Sequence, residues 1–233
     1  MKKIWYSAGS FVIILLLLLY THPKEGSIPV QQYLDLSLLN TGSLAELGMG
    51  RFQVIYLLFH LSLDTMITLF IISRNYEANR EFRGLIVYRY PSKNKYLNAV
   101  MKNGAKASVF IAANMALLWP VALGVIDVSA FEQGISVETA GAYLAFILRV
   151  YFFCNFLALL SALFLFYCQT SVVSVMLLLI SAIVLTADVF VDEIDMVTYS
   201  FQMSPNLWGM ALLMAFYGGI WGVFRKNIGG MEF

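Results

Sequence analysis

Apolar residues in this chain come in long unbroken blocks, not in the alternation of a strand or the three-and-four spacing of a surface helix. Six blocks stand out, at about 4–20, 52–72, 105–126, 143–167, 171–191 and 207–224. About 20 helical residues at about 1.5 Å each cross a hydrocarbon layer of about 30 Å, and these blocks have that length. Backbone amides in lipid are satisfied only within a helix or around a closed barrel. The blocks are continuous, so they lack the roughly ten-residue alternation of barrel strands. The pattern predicts an all-α polytopic membrane protein: one domain over 1–233, a bundle of six transmembrane helices, with a helical loop at 73–104 between the second and third spans.

Little of the chain falls outside the blocks. A segment at 21–51 carries Leu34, Leu36, Leu38, Leu39, Leu44 and Leu47, broken by Gly42 and Gly48. It reads as amphipathic pieces lying at a membrane interface. The connections 127–142 and 192–206 are acidic, and the turn between the fourth and fifth blocks is only about "CQTS". The loop at 73–104 is therefore the one sizeable connection on its side.

Composition sharpens the picture through the placement of charge. The chain is 60% hydrophobic, above the usual 45–50%, and 12% charged, with a net charge of +1. Eight of its fifteen Lys and Arg residues lie between Arg74 and Lys106. With both termini on the cytoplasmic side, that side also holds Lys2, Lys3, Arg225 and Lys226, and the outside only Lys24 and Arg51. The bias predicts a multi-pass protein of the cell membrane with cytoplasmic termini. Lys2 and Lys3 before an apolar core also suit a signal peptide, but "LLLLLYTHPKEG" offers no small-x-small cleavage site, so the first span is expected to be retained. Cys154 and Cys168 lack metal-type spacing and read as ordinary buried thiols.

Within the basic loop, Tyr76 to Val87 is helix-compatible, with Glu77 placed to pair with Arg80. Pro91 breaks the helix, since proline disfavours a helical residue before it. Helical spacing resumes in "SKNKYLNAVMKNGAKA", where Tyr96, Val100 and Met101 share a side opposite Lys93, Lys95, Lys102 and Lys106. Two readings are open. The cations fix topology and bind anionic lipid, or the loop is a docking surface, which its aromatic and Arg content favours.

The run Glu81-x-x-Gly84, then Pro91-Ser92-Lys93, then Lys102 entering the third span, resembles the cytoplasmic loop of type-2 ABC exporter permeases, notably small bacterial ones serving bacteriocin or lantibiotic transport or immunity. The resemblance implies that the loop is a coupling helix resting on a separate ATP-binding subunit. Its contacts would be Arg80, Glu81, Arg83, Gly84, Arg89, Pro91, Lys93 and Lys95. It further implies a second permease chain, identical or related, and ATP and Mg on the partner, with no cofactor in this chain. The substrate expected is an amphipathic peptide or lipid-like molecule. The rival is a non-transporting membrane subunit that recruits, senses or regulates a partner through the basic loop. Membrane lipid is a partner in either case, and no nucleic acid is expected.

Enzyme motifs are missing. The chain has His22 and His60 but no HExxH, GxSxG or phosphate-binding loop, so no catalytic or metal site is expected. Ionisable residues inside spans are costly, about 2.5–3.5 kcal/mol each, and so require an account. His60 and Asp64 lie four apart on one face of the second span. They line a polar path or lock two helices together, and a pair without further carboxylates favours the lock. Arg149 and Asp188 lie at similar depth in the fourth and fifth spans, placed to pair or to reach the surface. Gly218 and Gly222 in the last span have the small-xxx-small spacing that lets a helix approach closely. Pro120 interrupts the third span's backbone ladder.

Overall fold

The computed structural model describes residues 2–22, 28–37, 52–80, 93–132, 134–167, 170–190, 215, 217–223 and 225–226. Among these there is no strand. The helices are α1 (Lys2–Thr21), α2 (Val30–Ser37), α3 (Phe52–Arg80), α4 (Lys93–Ile126), α5 (Val137–Tyr167) and α6 (Thr170–Phe190), with a 3-10 turn at Val128–Phe131. Lys2–Thr21, Met101–Ile126 and Thr139–Leu165 are each long and apolar enough to cross a membrane. The chain is thus an all-helical protein with the makings of a membrane protein.

Side-chain contacts fix the directions of the helices. The Tyr6 ring meets Phe70 at 4.7 Å and Tyr20 meets Phe59 at 6.3 Å, so α1 and α3 run antiparallel. Ser7 Oγ donates to Asn114 Oδ1 at 2.6 Å, and the Tyr6 ring lies 5.9 Å from Phe110. Asn75 Nδ2 donates to the Ala158 carbonyl at 2.9 Å, and Tyr143 reaches the Ala116 carbonyl near the other end of α4. Helices α1, α3, α4 and α5 therefore alternate in direction. Lys2, Lys3, Arg74, Lys95, Lys102 and Lys106 are exposed toward one end, and Asp127 and Glu132 lie at the other.

In lipid the tails are as apolar as leucine, so close packing and hydrogen bonds hold helices together more than apolar burial does. Two glycines show where that closeness is reached. A Cβ on Gly104 of α4 would stand 3.2 Å from Ala158 Cβ of α5, and one on Gly9 would meet the tip of Met66 on α3 at 2.5 Å. The core between them is filled by Leu18, Ile67, Ile111 and Leu157, all fully buried.

Helix α4 continues as α-helix through Pro120. Proline has no N–H, so the carbonyl four residues back, that of Ala116, loses its helical donor. The Tyr143 hydroxyl on α5 lies 3.2 Å from that carbonyl and 3.2 Å from the Met115 carbonyl, sharing its one proton between them. A gap in one helix is closed by a side chain of its neighbour.

The segment expected to lie on the membrane surface behaves differently over 30–34. Val30, Tyr33 and Leu34 of α2 are buried in the main core. Eight residues are too few to hold a helix alone in water, so α2 owes its form to that docking. The rest of the segment's leucine run, Leu36 to Leu47, has no described side chains.

Candidate functional site: a polar seam and its cap

Helix α3 carries the seam. His60, Asp64 and Thr68 repeat every four residues, and Asn75 follows one further pair of turns along the same face. All four are buried, His60 and Thr68 completely. Other helices carry buried polar side chains of their own: Tyr6 and Ser10 on α1, Ser108 on α4, and Arg149, Cys154 and Ser161 on α5. Asp64 of α3 and Tyr6 of α1 each lie within electrostatic range of the Cys154 thiol on α5. At the basic end the seam closes with Asn75, whose amide donates to Ala158 O and to Ser161 Oγ.

The structure thus keeps His60 and Asp64 on one buried face, as their spacing requires, and extends the set well beyond a pair. Arg149 is 4% exposed, so it does not reach the surface as the alternative for it supposed. The side chain of Asp188 lies outside the described residues, and so does its pairing with Arg149. Cys154 is a buried free thiol and Cys168 is outside the described residues. Gly218 and Gly222 are exposed, with open space where a Cβ would go, while Tyr217, Ile220 and Trp221 of that helical stretch pack on Leu159 and Ala162.

At the opposite end a cap closes the bundle, built on residues the spacing rules did not single out. Asp127 caps the 3-10 turn, its Oδ1 accepting from Ala130 N at 3.2 Å and from Ser129 Oγ at 2.5 Å. Its Oδ2 accepts from the Tyr33 hydroxyl at 3.0 Å, which ties α2 to the end of α4. The Tyr33 oxygen also bonds His22 Nδ1, and the two rings stack at 7°. The single phenolic proton goes to Asp127, so His22 Nδ1–H is the donor in the second bond. Burial, and then the hydrogen bond and charge of Asp127, push the Tyr33 phenol well above its ordinary value. Nearby, Thr139 donates to Gln31 Oε1 at 2.5 Å and the Ser136 hydroxyl caps α5 through Thr139 N at 3.0 Å. The signal available in the sequence was weak: a lone Asp directly after an apolar block reads first as a loop residue.

The docking residues suggested by the resemblance divide in two. Glu81, Arg83, Gly84, Arg89 and Pro91 lie outside the described residues. Arg80 ends α3 and Lys93 begins α4, with only their backbones described, and Lys95 is exposed in the first turn of α4. Among the described residues no group of His, Cys, Asp and Glu is arranged to hold a metal ion. Chemically, the seam offers a row of buried polar groups along α3, joined to α5 through Asn75, and the cap offers a hydrogen-bonded chain from His22 to Asp127. No family model, curated protein or solved structure matches this chain.

Proposed function

We propose that this chain is the membrane-spanning permease subunit of an ATP-driven exporter, multi-pass in the cell membrane with both termini cytoplasmic. ATP and Mg belong to a separate ATP-binding subunit, and a second permease chain completes the transport path. The substrate is an amphipathic peptide or lipid-like molecule.

One observation carries the reading. Helix α3 runs on to Arg80 and α4 starts at Lys93, so both extend past the apolar blocks 52–72 and 105–126 at the basic end. Eight and twelve further residues of helix are about 12 and 18 Å. The headgroup layer on one side is about 5–8 Å. A loop that only anchored lipid gains most by lying flat in that layer. Rigid helical stalks favour presenting the connection, with Glu81, Gly84 and Pro91, to a partner beyond it. The exposed Gly218 and Gly222 offer a close-approach face for the second permease chain.

Purification of the chain from its native membrane in mild detergent, followed by identification of the co-purifying chains, tests this. An ATP-binding subunit in near-equal amount is expected. A chain that purifies alone, or with a partner lacking an ATP site, rejects the proposal.

A further inference from the structure

We infer that the basic end of the bundle holds the phosphate of one anionic phospholipid where α1, α3 and α4 meet, between Lys3, Arg74 and Lys106. The inference goes beyond the transport reading and needs only that the bundle sits in a bilayer. The residues belong to the helices themselves, not to the connection at 81–92.

The site has an aromatic floor. The rings of Tyr6 on α1, Phe70 on α3 and Phe110 on α4 form a triangle, with centroids 4.7 Å, 5.9 Å and 5.4 Å apart. Each helix carries a cation one turn further toward the basic end. Lys3 lies three residues before Tyr6, Arg74 four after Phe70 and Lys106 four before Phe110. Residues at that spacing share a helix face, with Cβ atoms about 5–6 Å apart. The packing of the rings therefore brings the three cations to one junction. Lys3 shows the convergence directly, since its Nζ lies 4.9 Å from the centre of the Phe110 ring on the neighbouring helix. All three side chains are exposed, so a ligand can reach them.

Charge calls for an anion here. Neither α1 nor α4 contains an Asp or Glu, so Lys3 and Lys106 have no acidic residue on their own helices. On α3, Glu77 follows Arg74 by three residues, which leaves the two lysines as the chief holders of a ligand. Like charges gathered at one junction are stabilised by an anion between them.

Depth selects a lipid phosphate over a soluble anion. No charged residue follows Lys3 in α1 or Lys106 in α4, so both cations stand where the apolar spans begin. Ile4 and Trp5 next to Lys3, and Val109 one turn beyond Lys106, are exposed. Tryptophan is favoured at the level of the headgroups. A phospholipid meets both halves of this surface, its phosphate between the ammonium groups and its acyl chains along the apolar side chains. A free phosphate meets the cations alone. The headgroup carries a net negative charge, because a zwitterionic lipid would bring a further cation to a junction that already holds three.

The test uses the full chain, delipidated in detergent and titrated with dioleoyl phosphatidylglycerol or dioleoyl phosphatidylcholine, which share acyl chains and differ in headgroup charge. Native mass spectrometry counts the bound lipid and gives Kd. One phosphatidylglycerol is expected to bind, at least about tenfold tighter than phosphatidylcholine. A lysine beside an anionic lipid is worth roughly fivefold in binding, so Lys3→Gln combined with Lys106→Gln should weaken phosphatidylglycerol about 25-fold. Lys3→Arg combined with Lys106→Arg should retain it. Removing two cations away from the junction, Arg225→Gln with Lys226→Gln, should cost less than about twofold after screening. Equal binding of the two lipids by the unaltered chain overturns the inference, whether or not the variants fold. So do equal losses in the two glutamine pairs, the mark of a diffuse surface field, or displacement of the lipid by excess inorganic phosphate, the mark of a free-phosphate site.

Discussion

Replacing Tyr143 with phenylalanine removes one oxygen and leaves the Ala116 carbonyl, already without a helical donor because of Pro120, facing no partner. The Met115 carbonyl is less affected, since Trp119 N–H serves it within the helix. An orphaned buried carbonyl costs about 1–3 kcal/mol in soluble proteins. Hydrogen bonds between membrane helices average nearer 0.6 kcal/mol, with a maximum of about 1.7. A loss of about 1 kcal/mol is therefore expected for Tyr143→Phe. The mechanism makes a sharper statement about the pair. Pro120→Ala restores the backbone donor to Ala116, so Tyr143→Phe in that background should cost less than about 0.3 kcal/mol. The cycle should show a coupling of about 0.7–1 kcal/mol. Reversible unfolding by dodecyl sulfate in mixed micelles, followed by circular dichroism on all four proteins, measures it. If Tyr143→Phe costs the same with and without Pro120, the hydroxyl is not compensating for the proline and this account of α4 fails.

Tyr33→Phe should release α2 by breaking the bond to Asp127: hydrogen exchange of the amides at 30–37 should quicken at least tenfold, from a charge-assisted bond of about 1.5–3 kcal/mol. Unchanged protection would show that apolar burial alone holds α2. The raised folded pKa of Tyr33 sets a sign as well: its contribution is complete below the ordinary tyrosine value of about 10 and is lost as pH rises beyond it toward the folded value, so α2 exchange should accelerate in alkali beyond the intrinsic rate. Gly104→Leu should destabilise the bundle by about 1–3 kcal/mol because the Ala158 Cβ is fixed 3.2 Å away, whereas Gly9→Ala should be nearly neutral because the flexible end of Met66 can move. Thermal unfolding of the two variants in detergent that gave equal losses would deny that the α4–α5 approach is the tighter constraint. Cysteines placed at Ser92 and at the exposed Glu132 should react with an impermeant thiol reagent from opposite sides of the membrane, and labelling of Ser92 from outside intact cells would reject the orientation.

The helices were legible because unbroken apolar blocks have few other ways to satisfy a backbone in lipid. The start of α4 at Lys93 follows from Pro91, and the length of α1 follows from its Leu run. The seam was half legible. His60 and Asp64 stood out because charge inside a span is costly, while Thr68 and Asn75 on the same face carry no charge and passed as ordinary helix residues. The cap was hidden for a different reason: it joins His22, Tyr33 and Asp127 across 105 residues of sequence, and no local periodicity connects them. The role of Tyr143 was likewise invisible, since the defect it repairs sits on another helix. Gly9 and Gly104 matter through what faces them, whereas Gly218 and Gly222, which have the familiar spacing, meet nothing among the described residues.

The central claim is that the connection at 81–92 docks an ATP-binding partner. It is tested most directly by comparing Glu81→Lys, Gly84→Trp and Lys93→Gln in the complex isolated from native membranes. All three leave most of the eight cations in place, so insertion should survive in each. Glu81→Lys and Gly84→Trp should lose the co-purifying ATPase or its substrate-stimulated turnover. Lys93→Gln should retain both, because one screened cation among eight contributes little. A fully coupled ATPase in all three would make the loop a topology and lipid anchor, and would contradict the account.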